Sequence, residues 1–236
     1  MGNVVVVGGS KGIGFEIVRQ SCLLGNTLTV LSRTSGQLEG QDFAPGSMIH
    51  RTCDVTKDEI TEDMLPAEIN GLVYCPGSIN LRSFSSLKLD VFREDFELNV
   101  VGAIKAIKAA SKGLKAAKSA SVVLFSTVAV QRGMFAHASI AVSKGAVEGL
   151  VRTLAAEFAP GIRVNCLAPA LTDTPLTKRF FATPEKVEAL AKNYPLGRTG
   201  KPQDLAAMAN FLLTEDASWI TGQVIGVDGG MSTVHK

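Results

Sequence analysis

The chain has 236 residues, of which 46% are apolar, and its mean hydropathy is +0.21. That length supports one substantial core and is short for two ordinary domains plus a linker, so a single domain over residues 1–236 is expected. Twenty-four Lys and Arg against 22 Asp and Glu leave a formal charge of +2, which gives no electrostatic case for a nucleic-acid or membrane partner.

Short β-branched runs alternate with amphipathic stretches along the chain. Val4–Val7 is followed by an apolar helical face over Ile13–Leu24, and then by strand-like runs at Leu28–Leu31, Met48–Cys53 and Leu72–Cys75. A long helical pattern runs from about Leu89 to Lys118. After it come Val122–Ser126, a helix over roughly Ala138–Phe158, Val164–Leu167, a helix near Gln203–Leu213, and Val224–Val227. This alternation predicts an α/β fold, a Rossmann-like doubly wound parallel sheet of about seven strands flanked by helices. Two crossovers read as abbreviated. Ser35–Gly46 holds Gly36, Gly40, Pro45 and Gly46, and Lys57–Asn70 has room for a couple of turns, so one side of the sheet is expected to be thinly covered there.

Five lysines between Lys105 and Lys118 fall at helical spacing among alanines, as on a solvated face. Cys22, Cys53, Cys75 and Cys166 show no CxxC spacing and sit in apolar runs, which reads as reduced core residues and as no metal site. No leader-like segment and no apolar run approaching 18 residues is seen, and Val6 stands where a myristoylation signal needs Ser or Thr. The expected location is the cytoplasm.

The strongest local signal is Gly8-Gly9-Ser10-Lys11-Gly12-Ile13-Gly14, between the first strand and the first helix. A backbone that leaves a strand sharply, approaches a pyrophosphate and packs the next helix tightly on the sheet excludes a Cβ at each step. The helix N-terminus then offers free N–H groups and a positive dipole end to the anion. Gly8, Ser10, Lys11, Gly12, Ile13 and Gly14 are therefore cofactor-binding candidates.

The motifs, in order, are similar to those of the short-chain dehydrogenase/reductase family, over nearly the whole chain. Gly8, Gly12 and Gly14 match its glycine motif. Cys53-Asp54-Val55 resembles the pair that contacts adenine, and Cys75-Pro76-Gly77 stands where Asn-Ala-Gly is usual. Asn99 in Leu98-Asn99-Val100 matches the active-site Asn. Val164 to Ala170, with Pro169, resembles the segment under the nicotinamide, and Thr174 a residue that bonds its amide. Pro195-Leu196-Gly197-Arg198 and Gly222 through Gly230 complete the pattern. The resemblance implies a nicotinamide dinucleotide held by Asp54, Val55, Gly77, Pro169, Thr174 and Lys144 in addition to the glycine turn.

Leu31-Ser32-Arg33 ends the second strand with no acid for a ribose 2′-OH, whereas Arg33 and Lys11 suit a 2′-phosphate. NADP(H) is the expected cofactor. In the family a Tyr hydroxyl is the general acid, and a Lys four residues later tunes it and holds the ribose. A Ser polarises the substrate oxygen, and an Asn anchors a water. Lys144 and Asn99 are present, and Thr127 occupies the Ser position. The Tyr position is Ile140, which has no proton to give. His137, Ser139 and Tyr194 are the nearby candidates to replace it, His137 being placed some 60° round a helix from position 140. Asn99 also has a structural role open to it, shaping its helix.

Three readings follow. The first is an NADPH-dependent oxidoreductase with atypical proton delivery, acting on a carbonyl or activated C=C substrate. The second is an NADPH-binding protein without turnover, and the third a lyase or isomerase on the same scaffold. Phe180, Phe181 and Leu190 in a lid region over 172–194 suggest a partly apolar small-molecule ligand. The resemblance implies a homodimer or homotetramer built on the Ala- and Gly-rich helices that hold Asn99 and Lys144.

Overall fold

A computed structural model describes residues 2–234. Seven parallel strands form one sheet: β1 (Asn3–Val7), β2 (Thr27–Ser32), β3 (Ser47–Thr52), β4 (Gly71–Tyr74), β5 (Ala120–Phe125), β6 (Ile162–Pro169) and β7 (Val224–Val227). Their order is β3-β2-β1-β4-β5-β6-β7. All seven coincide with the runs expected from sequence to within two residues at either end.

The helices are α1 (Gly12–Leu23), α2 (Leu89–Phe96), α3 (Gly102–Ala116), a short α4 (Ala129–Arg132), α5 (Ala138–Phe158), α6 (Pro184–Ala191) and α7 (Pro202–Leu213). The predicted helix over 89–118 runs without a break from Leu89 to Ala116. A π-helical turn, Glu97–Val101, separates α2 from α3 and carries Asn99. Among the described residues, no helix is long and apolar enough to cross a membrane.

The strands are apolar on both faces because helices cover both. Val4, Val5, Val6 and Val7 are all buried, alternating between the two cores. On one face Val5 and Val7 meet Ala103, Ala106, Ala110 and Leu114 of α3, with Val147 and Val151 of α5. On the other, Val4 and Val6 meet Ile17 and Val18 of α1 and Leu205 and Ala209 of α7. Each such valine contributes about 1.5–3 kcal/mol by leaving water.

The thin flank is where the glycines and prolines put it. Only a single 3₁₀ turn, Gly36–Leu38, links β2 to β3, and Ile49 of β3 is 55% exposed. The lysines of α3 lie outward, with Lys108, Lys112 and Lys115 exposed and Lys105 paired to Glu97 at 3.1 Å. Chain order reverses between β1 and β4, where β1 pairs with β2 on one side and β4 on the other. In open α/β sheets, a crevice opens beyond the carboxyl ends of the strands at such a point.

Candidate functional site

At that reversal the chain leaves β1 through Gly8, with φ at +78°, and enters α1 through Gly12, at +56°. These are left-handed conformations that glycine adopts without a steric penalty. A Cβ on Gly14 would run into the Gly8 carbonyl oxygen, so the turn stays tight against the helix start. Lys11, at the N-cap of α1, is extended and makes no side-chain cap, which leaves the helix opening toward the crevice. One amide is taken: Gly12 N–H donates to Gln37 Oε1 at 3.0 Å.

The crevice is a groove of about 420 Å³. Gly8, Ser10, Lys11, Gly12, Ile13 and Gly14 line one side of it, and Arg33, Asp54, Val55, Gly77 and Thr174 close the rest. Lys11 and Arg33 are exposed, and neither makes a salt bridge to any described residue. Asp54, beyond the end of β3, is engaged by Thr56: its Oδ1 accepts from Thr56 Oγ1 at 2.7 Å and from the Thr56 amide at 3.1 Å. Those bonds hold its carboxyl below the usual range.

A second cavity, of about 380 Å³, adjoins the groove, and Ile13, Cys75, Gly77, Thr174 and Leu176 line both. Thr127, beyond the end of β5, faces it together with Pro169 of β6 and Ile140 and Lys144 of α5. Ile140 and Lys144 are one turn apart on the inner face of α5, 5% and 7% exposed, and both line this cavity. Burial brings the Lys144 ammonium down to about 8, and the thiols of Cys166 and Cys75 and the carboxylate of Asp95 oppose that shift.

Asn99 lines neither space. It is 1% exposed, behind Gly77, and its Nδ2 donates to the Asp95 carbonyl at 2.7 Å and to Ser78 Oγ at 3.1 Å. Its Oδ1 has no hydrogen-bond partner among the described residues.

Two further outcomes differ from the helical-wheel expectation. His137 is the N-cap of α5, outside the helix proper, and lines the cavity, with its Nδ1 at 2.7 Å from the Phe135 carbonyl. Ser139 is fully buried and turns away from the cavity to donate to Asp95 Oδ2. Tyr194 does face the cavity, and burial pushes its hydroxyl up. Of the lid aromatics Phe180 lines the cavity with Leu190, and Phe181 does not. Cys22, Cys53 and Cys166 are buried and free, as core thiols are, but Cys75 is only half-buried and belongs to the groove wall.

Sequence reasoning missed Ser78 and Asp95. Asp95 is 1% exposed, and its carboxylate accepts from Ser78 Oγ at 2.5 Å, Asn80 Nδ2 at 2.8 Å and Ser139. A charged residue in an amphipathic pattern reads as solvated. The one available signal is its spacing, four residues before Asn99 on the same helical face.

Comparison with known proteins agrees with this architecture. A family profile described as enoyl-(acyl carrier protein) reductase matches residues 7–232. Galactitol 2-dehydrogenase (L-tagatose-forming) of Cereibacter sphaeroides is 33% identical, with 95% of this chain and 92% of that protein covered. The 3-oxoacyl-[acyl-carrier-protein] reductase MabA of Mycobacterium tuberculosis is 31% identical, with 99% and 94% covered. Among solved structures, a short-chain type dehydrogenase/reductase from Mycobacterium ulcerans superposes with a TM-score of 0.90 at 29% identity, covering 98% of this chain and 89% of that one. A seven-stranded parallel sheet, a groove at its strand reversal and similarity over nearly the whole chain to such enzymes make this chain a member of the short-chain dehydrogenase/reductase family of oxidoreductases.

Proposed function

We propose that this chain is an NADPH-dependent oxidoreductase that reduces a small, partly apolar carbonyl or conjugated C=C compound, and that it delivers the proton without a phenol at position 140. The observation that carries the cofactor assignment is the pair Lys11 and Arg33. Both are exposed, neither forms a salt bridge to any described residue, and both line the groove into which α1 opens. Two free cations in one groove suit a 2′-phosphate, and no acid at the end of β2 stands ready for a 2′-OH.

The residues present fit the cofactor. The glycine turn and the start of α1 would take its pyrophosphate, Arg33 and Lys11 its 2′-phosphate, and Asp54 and Val55 its adenine side. Gly77, Pro169, Thr174 and Lys144 would take the nicotinamide half. When bound, the group supplies a hydride.

Thr127 and Lys144 would meet the substrate oxygen in the adjoining cavity, and Asn99, with its unpartnered Oδ1, would hold a water behind Gly77. The cavity is walled largely by Ile79, Leu81, Phe125, Phe180 and Met231, which supports an apolar substrate body. A homodimer or homotetramer in the cytoplasm belongs to the same proposal. The aliphatic Ile140 favours one competing reading, NADPH binding without turnover.

Calorimetric titration tests the cofactor assignment. Charge-assisted bonds to a phosphate contribute roughly 1.5–3 kcal/mol each, so NADPH should bind about 10- to 150-fold more tightly than NADH. Arg33→Asp should narrow or reverse that preference. Equal dissociation constants in the unmodified protein would overturn the assignment.

A further inference from the structure

We propose that Gln37 sets the preference of the cofactor groove for a 2′-phosphate, as a positioning residue that pins the segment carrying Arg33 against the turn carrying Lys11. This rests on the NADPH reading above. It adds to that reading a residue that carries no charge and does not line the groove.

Arg33 and Lys11 stand on different stretches of chain. Lys11 belongs to the turn between β1 and α1, and Arg33 begins the abbreviated crossover that leads to β3. That crossover has no α-helix to hold it, only the 3₁₀ turn Gly36–Leu38. A cation on a loose loop loses affinity to the cost of ordering it. Two cations on separate stretches therefore grip one phosphate well only where the stretches are held together beforehand.

The segment is pinned at three points. At its start Ser32 is 8% exposed, and its Oγ donates to the Thr34 carbonyl at 3.0 Å and lies 3.0 Å from His50 Nε2 on β3. At its end Leu38 is 4% exposed, in the core that holds Ile17 and Val18 of α1. Between them Gln37 binds the glycine turn twice. Its backbone N–H donates to the Ser10 carbonyl at 2.9 Å, and its side-chain Oε1 accepts from the Gly12 N–H at 3.0 Å. These two bonds flank Lys11. Gly36, with φ at +55°, brings the segment close enough for the Lys11 stem to run alongside it. A Cβ there would stand 2.8 Å from the Ser10 carbonyl oxygen and 3.1 Å from Lys11 Cε.

Lys11 and Arg33 line the groove together with Ser10, Ser32 and Thr34. Glu39, the next acid along the chain, is engaged by Ser35 Oγ and does not line the groove. A Gln37 side chain that only shaped the fold would act on NADH and NADPH alike. One that aligns Arg33 with Lys11 acts on the 2′-phosphate alone.

Gln37→Met keeps the length of the side chain and removes the acceptor, and the residue is exposed, so the core is left untouched. Calorimetric titration of wild type and variant with NADPH and with NADH gives each preference as a ratio of dissociation constants. Loss of one hydrogen bond of this kind should narrow the NADPH preference about threefold to tenfold, with NADH affinity unchanged within about twofold. In an Arg33→Met background no second cation is left to align. There Gln37→Met should alter the remaining preference by less than about twofold.

A preference that survives intact in Gln37→Met, an equal loss for both dinucleotides, or an undiminished effect in the Arg33→Met background would overturn the proposal and leave the NADPH reading standing. Equal binding of NADPH and NADH by the wild type would overturn that reading, and this proposal with it.

Discussion

Lys144 places an ammonium where burial disfavours it, and the fold carries the cost. A lysine that titrates near 8 when folded and near 10.5 when unfolded destabilises the charged protein by about 3 kcal/mol. Below pH 8 the lysine is charged in both states and the whole cost is present. Between 8 and 10.5 the unfolded chain binds more protons, so stability recovers as pH rises. Lys144→Met should therefore unfold at higher denaturant than the wild type at pH 7, with the gap closing by pH 10.5. A gap that stays constant across this range would show that Lys144 titrates normally in the fold. Ile140 presents the opposite case, a stable side chain where chemistry wants a polar one. Ile140→Tyr places a phenol one turn before Lys144 and facing the same cavity as Thr127, and general acid catalysis typically contributes 10²–10⁴-fold. Steady-state assays on simple ketones should show a gain of about 10²-fold. A folded, NADPH-binding variant with no gain would mean that the pocket has diverged beyond this one position.

Among the elements, the π turn at Glu97–Val101 joins fold and site. The Asn99 amide donates to the Asp95 carbonyl and to Ser78, which in turn donates to the Asp95 carboxylate. Asn99→Leu would remove the side-chain bond to the Asp95 carbonyl at a cost of about 0.5–1.5 kcal/mol, lowering the unfolding temperature measurably. An unchanged Tm would show that the carbonyl finds another partner. This element was also the least legible in the sequence. Strands such as Val4–Val7 and Val122–Phe125 announce themselves as β-branched runs, and α5 and α7 as apolar stripes bounded by turn residues. A π turn adds one residue to a helix without breaking its apolar stripe, so 89–118 read as one helix. The glycine turn and Arg33 were placed by their position at strand ends, and Thr127 and Lys144 by register with the family's motifs; the glycine turn and Arg33 line the groove, and Thr127 and Lys144 the cavity. Asp95 and Ser78 were not legible, since a buried polar pair depends on contacts that cross from α2 to the segment after β4. His137 was misplaced because its angle was reckoned on a helix that starts one residue later.

At the scale of the whole molecule, the outer face of α5 is open. Val142 is 59% exposed, and a Cβ at Gly149 would meet nothing within 4 Å. A smooth, small-residue helix face permits close approach of a second copy, consistent with a two-fold assembly through α5. Val142→Glu should shift the protein toward monomer in sedimentation velocity, and an unchanged assembly would place the interface elsewhere. The sheet reversal, the groove and the adjoining cavity all lie at the carboxyl end of the strands, so on the proposed reading one scaffold would set the cofactor against the substrate. The central claim is that this scaffold still transfers hydride from NADPH with isoleucine at position 140. Single-turnover mixing of the protein–NADPH complex with a panel of simple ketones and conjugated enones tests it directly, with loss of reduced nicotinamide as the signal. The expected result is oxidation of NADPH by at least one enone, with slower reaction on simple ketones. NADPH left intact by every member of the panel, in a protein that binds it tightly, would contradict the claim and leave a cofactor-binding protein without redox turnover.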